Sequence, residues 1–524
     1  MEPSCVRQSL IPGTSKLLDD YLYHFDRVGR FFGRSCFDPD SFSQTAAEIR
    51  FPDERRVALV EALREQNGDS AALDRLAQPG CLAVVTGQQV GLFSGPAYTI
   101  FKALTAARLA RHLTDQGIAA VPVFWLATED HDLAEVDHAW VFDQTMSPRR
   151  IALDAAGTGG PVGDVKLGQV PFEELERGLG DLPYARQVTA QIRRAYCPNA
   201  TLGSAFRELL RDILRDFDLL YVDPLAPGVR AITGPFLAEA VHRMPEMGEM
   251  LRRRNSDLIE SGYHAQVHIE ENSSLLFLIR NGKRIPLRWK DGRFAAKDRT
   301  YSMQELQSMG PSLSPNALLR PVMQDYLLPT VTYVGGPAEI AYMAQAQVLY
   351  RDLLGRMPVI FPRNGFTLLE ARALKLMERY DVRIPDLLDH REHVRERIAS
   401  KLVPPGLHEE FAQVRALAAN LTTKLEADLR AFDPTLDAAA RKGAAKILYQ
   451  LDKLARKTAR EAMRREERAG QDAEFLEHLV YPHKHLQERF YSIVPFLAKY
   501  GPDLPHRLMD EVQLECPDHM VRVI

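Results

Sequence analysis

The chain has 524 residues, 45% hydrophobic and 26% charged, which is enough for a core domain with one or two additions. A formal net charge of -4 and a pI near 6.5 give no general attraction to nucleic acid or anionic lipid. The cysteines Cys5, Cys36, Cys81, Cys197 and Cys516 are odd in number and far apart, with no C-x-x-C pair, which argues against a disulfide framework or a zinc knuckle.

The first residues lack a basic segment followed by an apolar run, and no stretch approaches the roughly 18 apolar residues of a membrane span. A soluble, cytoplasmic protein with no membrane contact is expected. Residues 1–80 read as a helical N-terminal cover, broken by Pro12, Pro39 and Pro52. The segment CLAVVTGQQVGLFSGPAYTIFKALTAARLARHLTDQG then reads as strand, glycine-bearing loop and helix. Pro96 suits the helix start, Ile100, Leu104 and Ala107 share one face, and Gly117 can end it.

Next, IAAVPVFWLA is a continuous apolar run of the kind buried on both faces of a sheet. A β-α-β unit with right-handed crossover brings the loops after Val85 and Ala127 to the same carboxyl edge. The rhythm recurs at LLYVDP, TVTYVGGPAEIAYMAQAQ and PVIFPRNG, which predicts a doubly wound parallel α/β sheet over residues 81–380. Two inserted segments interrupt it, at about 139–200 and 264–310. The second alternates apolar and polar residues around Asn281-Gly282 and Asp291-Gly292, the dipeptides of two-residue hairpin turns.

Over residues 385–470 the spacing becomes heptad-like, with Phe411, Val414, Ala418, Leu421 and Leu425 on one seam and Ala440, Ala444, Ile447, Leu451, Leu454 and Thr458 on another. Asp433-Pro434 between them suits a helix start, so an antiparallel helical hairpin is predicted, its seams burying one another or recruiting a second subunit. The arginines from Arg456 to Arg468 interleave with Glu461, Glu466 and Glu467 and lack aromatics, so they read as a solvated face and no nucleic-acid partner is expected. Residues 471–524 are expected to return to the core.

Three motifs carry candidate chemistry. TGQQVGLFSGP supplies Thr86, Gly87, Gln88, Gln89, Gly91 and Gly95; it is neither G-x-G-x-x-G nor a P-loop, which removes support for NAD and simple P-loop NTPase readings. Its glycines either make tight turns only or aim backbone N–H groups at an anion or oxyanion. ATEDHDLAEVDH packs Glu129, Asp130, His131 and Asp132 at a strand mouth, where crowded carboxylates beside an imidazole suit acid/base work. If a helix begins there, His131, Glu135 and His138 share one face, which keeps a metal site open; acids complementing a helix N-terminus are the alternative. The third motif brings Arg320, Tyr333, Gly335, Gly336 and Glu339 to another strand-to-helix turn, with Arg363 at the next strand end, where arginines can clamp carboxylates or form structural ion pairs.

TGQQVGLFSGPAYTIFKA, PVFWLATEDHDLAEVDH, LRPVMQDYLLPTVTYVGGPAEIAYMAQ and LQERFYSIVPFL together resemble the signatures of the BshC proteins, the cysteine-adding enzymes of bacillithiol biosynthesis, in order and spacing over about residues 10–515. The resemblance implies a Rossmann-like core with connecting-peptide insertions and a coiled-coil domain that makes a homodimer. It also implies a ligase that joins L-cysteine, through its carboxyl group, to the amine of glucosaminyl-malate. For that reaction Glu129, Asp130 and Asp132 would bind and deprotonate ammonium groups and His131 would shuttle the proton. The Thr86–Gly95 loop would receive an oxyanion, acyl phosphate or adenylate, and Arg320 or Arg363 would hold the malate carboxylates.

The H-I-G-H and K-M-S-K-S elements of class I aminoacyl-tRNA synthetases, a related fold, are missing. The cofactor stays open: ATP or another nucleotide is a candidate and a metal is not expected. Two competing functions are a metal-dependent hydrolase or amidase built on the EDHD region, and an assembly protein whose helical arm does the work.

Overall fold

A computed structural model of the protein describes residues 4–154, 159–297, 299–388 and 394–524. The parts of the predicted insertions and of the 385–470 region that fall on 155–158, 298 and 389–393 lie outside those residues. The chain divides into two compact units, one of Cys5–Thr367 with Glu488–Met520, the other of Met1–Ser4, Leu368–Gln487 and Val521–Ile524.

In the larger unit five strands form one parallel sheet: β1 (Leu82–Gln88), β2 (Ala120–Leu126), β3 (Leu220–Val222), β4 (Thr330–Gly335) and β5 (Val359–Pro362). Their spatial order is β5-β4-β1-β2-β3. Every residue of β2 and β4 is buried, as strands covered on both faces are; β2 is an unbroken apolar run, whereas β4 also buries Thr330 and Thr332. The chain proceeds from β1 outward to β3, then crosses back to place β4 on the other side of β1. The strand order therefore reverses between β1 and β4, and the crevice beyond the carboxyl ends there is where open α/β sheets bind ligands.

The helices that shape this edge are α1 (Tyr98–Asp115), α2 (Pro227–His242), α3 (Arg320–Leu327) and α4 (Pro337–Leu354). Along α1 the predicted face is buried at Ile100, Leu104 and Ala107, and Gly117 follows its end at φ +86°, a left-handed conformation suited to glycine. Gly87 is opposite Trp125 in the β1–β2 register. A Cβ there would sit 2.7 Å from the Trp125 carbonyl oxygen, so a side chain would push the two strand ends apart.

The second insertion is an antiparallel sheet in the spatial order Thr300–Tyr301, Arg293–Ala295, Lys283–Lys290, Ser273–Arg280, Leu313–Pro315. Both hairpin turns behave as their dipeptides predict: Asn281 and Gly282 adopt φ of +53° and +69°, Asp291 and Gly292 +50° and +74°. In the first insertion His138–Phe142 pairs with Pro148–Ala152, also antiparallel.

The smaller unit contains the long helices α5 (Pro405–Phe432) and α6 (Asp437–Arg465). The Asp433 side chain accepts the Thr435 N–H at 2.9 Å and caps the 3-10 turn Pro434–Leu436 that joins them. Arg415 Nε meets Asp452 Oδ1 at 2.8 Å across the pair. The seams do not bury one another: α5 has no buried residue, and Val414, Leu421, Leu425, Ile447 and Leu454 are each about half exposed. Among the described residues, no helix is long and apolar enough to cross a membrane.

Candidate active site

A cavity of about 420 Å³ opens at the switch point, within the size range of small-molecule sites. Its wall divides by charge. On one side Lys102 reaches from α1 to the end of β1, where Nζ donates to the Gly87 carbonyl at 2.9 Å and to Gln88 Oε1 at 3.0 Å and pairs with Glu339. Glu339, in the first turn of α4, also accepts the Tyr333 hydroxyl at 2.6 Å and the Gly336 N–H at 2.7 Å. Burial lowers the Lys102 pKa against the pull of Glu339; burial also acts to raise Glu339, but Lys102 and these donors hold it below its ordinary value.

Arg363 grips Glu488 with both guanidinium prongs, Nη1 at 3.0 Å, and Glu488 also accepts the Phe366 N–H at 2.9 Å. Burial acts to raise the Glu488 pKa, but Arg363 keeps it below the usual range. From the start of α3, Arg320 donates to the Tyr342 hydroxyl at 2.7 Å and to Gln324 Oε1 at 3.3 Å. Tyr98 lies among these cations, its ring centroid 5.0 Å from the Arg363 guanidinium and 5.9 Å from that of Arg489.

The opposite wall holds two carboxylates, Glu129 and Asp130, with Arg284 beside them. Glu129, 6% exposed, accepts Arg230 Nη1 at 2.9 Å, and Arg230 is itself fixed by the carbonyls of Pro311 and Leu313 at 2.5 and 2.8 Å. Burial raises the Glu129 pKa, with Arg230 and Arg284 opposing. Asp130 is more open; its carboxylate accepts the Gln89 amide and the His131 N–H, each at 2.7 Å. Arg284, from the inserted sheet, lies over Phe277 at 3.8 Å and donates to Ser314 Oγ at 3.1 Å and the Pro315 carbonyl at 2.7 Å. Its Nη1 is 3.1 Å from His131 Nδ1.

Of the residues singled out in the sequence, Gly87, Gln88, Gln89, Glu129, Asp130, Arg320, Tyr333, Gly336, Glu339 and Arg363 line this cavity together. Thr86, Gly91, Gly95, His131, Asp132 and Gly335 stand outside its lining. Thr86 Oγ1 donates to the Val334 carbonyl at 2.8 Å and ties β1 to β4. Gly91 and Gly95 fold against each other, so that a Cβ on Gly91 would lie 2.8 Å from the Gly95 Cα. Phe93 and Ser94 between them take φ of +49° and +75°, a strained pair.

Neighbours hold that loop: the Tyr196 hydroxyl accepts the Phe93 N–H, Ser492 donates to the Phe93 carbonyl, and the Tyr491 carbonyl accepts the Ala97 N–H. The N–H groups of Phe93 and Ala97 are thus already occupied. His131 and Asp132 are exposed on the rim.

The helix after EDHD is a single turn, Leu133–Val136, and His138 begins a strand paired to Ala152. His131, Glu135 and His138 therefore do not share a helical face, and the geometry behind the metal-dependent hydrolase reading is lost. Among the described residues no group of three or more His, Cys, Asp or Glu could hold a metal ion.

The site also uses Tyr98, Lys102, Arg230, Arg284, Tyr342 and Arg489, which the sequence reading did not single out. Lys102 had a signal, a lone cation inside the apolar pattern YTIFKALTA. Arg489 adjoins the glutamate of LQER. Arg230 and Arg284 come from an unrelated helix and hairpin, and nothing local marks them.

A five-stranded parallel sheet with a charged crevice at its switch point, and a separate pair of long antiparallel helices, define a Rossmann-like enzyme with a coiled-coil domain. The model of the Rossmann-like N-terminal domain of bacillithiol biosynthesis BshC matches residues 1–364, and that of the BshC C-terminal coiled-coil domain matches residues 366–523. The chain belongs to the BshC family. It is 50% identical to the "Putative cysteine ligase BshC" of Solibacter usitatus over all of both chains. It is also 37% identical to a protein of that name from Koribacter versatilis over 99% of both, and 33% to one from Symbiobacterium thermophilum over 94% of this chain and 95% of the relative.

Proposed function

We propose that the chain joins L-cysteine, through its carboxyl group, to the amine of glucosaminyl-malate, giving bacillithiol in the cytoplasm. The observation that carries this reading is one cavity with the carboxylates Glu129 and Asp130 on one wall and a surplus of cations on the other, which suits an acceptor with an ammonium at one end and two carboxylates at the other. The names of the relatives supply the cysteine and the reaction class.

The acceptor amine is a nucleophile only after losing a proton. Asp130 is the carboxylate assigned to take it, because Glu129 is engaged by Arg230 at 2.9 Å whereas Arg284 stands 4.0 Å from Asp130. His131, beside Asp130 on the rim, is placed to pass that proton toward solvent. Gln88 faces the cavity from the end of β1 and, with one amide N–H given to the Tyr98 hydroxyl at 3.0 Å, keeps the other for the reacting carboxyl, while Gln89 spends its amide on Asp130 and Glu135. Lys102 and Glu339 hold the β1 and β4 ends at a fixed spacing.

Incubating the purified chain with L-cysteine and glucosaminyl-malate, with and without ATP, tests the reaction. A product of the summed masses less water is expected, and its absence in both arms from folded protein overturns the reading. We further propose that the exposed seams of α5 and α6 close against a second copy of the chain.

A further inference from the structure

We infer that Arg320 and Arg489 are the specificity-determining pair for the acceptor's two carboxylates, and that Glu488 is a positioning residue that withholds Arg363 from the same task. The inference rests on the function proposed above and names which cations read the malate group.

Five cations line the cavity; Arg284 stands across it, 4.0 Å from Asp130, and the other four form the cationic wall. Two are neutralised within it: Lys102 by Glu339, and Arg363 by Glu488 through two prongs. Arg320 makes no ion pair within 4 Å among the described residues, although Glu339 of the same wall acts on it at longer range. Its hydrogen bonds go to the neutral Tyr342 hydroxyl and Gln324 amide, so its full charge and part of its donor fork stay available. Arg489 is exposed on the cavity wall and makes no hydrogen bond or ion pair among the described residues.

A guanidinium that keeps unspent donors in a concave site favours a planar, bidentate carboxylate. Two such groups in one cavity match a dicarboxylate rather than a single carboxylate. The short helix Gln487–Phe490 explains the placement: Glu488 is locked onto Arg363 and the Phe366 N–H, which fixes the backbone from which the adjacent Arg489 extends.

Binding of three probes to the intact protein, measured by calorimetry without turnover, tests this: glucosaminyl-malate, its dimethyl ester and L-malate, with inorganic phosphate as a competing anion. Wild type is expected to bind glucosaminyl-malate about tenfold or more tighter than the diester, because charge-assisted bonds are lost in the ester. Arg489→Gln, an exposed change that spares folding, is expected to lose most of that preference, and Arg489→Lys to restore part of it. An Arg489→Gln variant that keeps both affinity and preference overturns the clamp.

Wild type that ignores glucosaminyl-malate but binds L-malate through Arg489 keeps the clamp and sinks the proposed acceptor. Binding neither, or binding phosphate more tightly than L-malate, overturns the dicarboxylate assignment. Glu488→Gln, which frees Arg363, is expected to relax discrimination between malate and phosphate; unchanged discrimination removes the positioning claim.

Discussion

Lys102 is buried, and among the described residues Glu339 is the one carboxylate within ion-pairing reach of it. Replacing it with methionine strands Glu339 in a low-dielectric site, which typically costs about 3–5 kcal/mol. The denaturation midpoint of Lys102→Met is therefore expected to fall sharply, and adding Glu339→Gln should recover part of the loss. Asp325 offers a pH test. It is buried, takes one 3.4 Å bond from Gln324, and its Oδ2 has no hydrogen-bond partner among the described residues. Burial, opposed by Arg356, pushes its pKa up to about 6. The folded state then holds the proton more tightly than the unfolded chain, whose carboxyl titrates near pH 3.9. Its contribution to stability is complete below about pH 4 and lost as pH rises through 6. Asp325→Asn is expected to flatten that window and raise stability at pH 7 by on the order of 1–3 kcal/mol, as read from unfolding curves across pH. Lys102 showed in the sequence only as a lone cation in an apolar pattern, because a buried charge is recognised by its partner, and Glu339 lies 237 positions away.

The strands were legible because both-face burial forces continuous apolar runs, and the hairpin turns because Asn-Gly and Asp-Gly tolerate positive φ at both central positions. The single turn after EDHD was not legible. Acids at helical spacing imitate a helix start, but pairing of His138–Phe142 with Pro148–Ala152 demands extended backbone from His138 onward. The TGQQ loop was half legible: Gln88 and Gln89 do face the cavity, while Gly91 and Gly95 serve the close approach of backbone to backbone. That difference can be measured. Gly91→Ala must move the Gly95 backbone, so a clear drop in melting temperature and in product formation is expected. Gly117→Ala meets nothing within 4 Å and bears only its left-handed conformation, so a loss of about 1 kcal/mol with unchanged activity is expected. Equal effects at both glycines would refute the packing account.

At the scale of the molecule, the heptad spacing of α5 and α6 was visible in the sequence, but the exposure of both seams was not, since spacing cannot say which partner covers a stripe. If a second copy does, Leu421→Asp with Leu454→Asp should convert a dimer into a folded monomer by sedimentation; a wild-type monomer, or a variant dimer, would contradict the pairing. The charge pattern of the larger unit's cavity stayed hidden for a related reason, because Arg284 and Arg489 reach its lining, and Arg230 reaches Glu129, from three separate parts of the chain. The central claim is that this cavity adds cysteine to glucosaminyl-malate with Asp130 as the proton acceptor. The most direct measurement is bacillithiol content in a bacterial strain that lacks its own cysteine-adding step and carries wild-type, Asp130→Asn or His131→Ala protein at equal abundance. Wild type is expected to restore bacillithiol. Asp130→Asn should lower it about a hundredfold while glucosaminyl-malate accumulates, in line with the loss of a general base, and His131→Ala should lower it less. Full bacillithiol with Asp130→Asn, or none with wild type, would contradict the account.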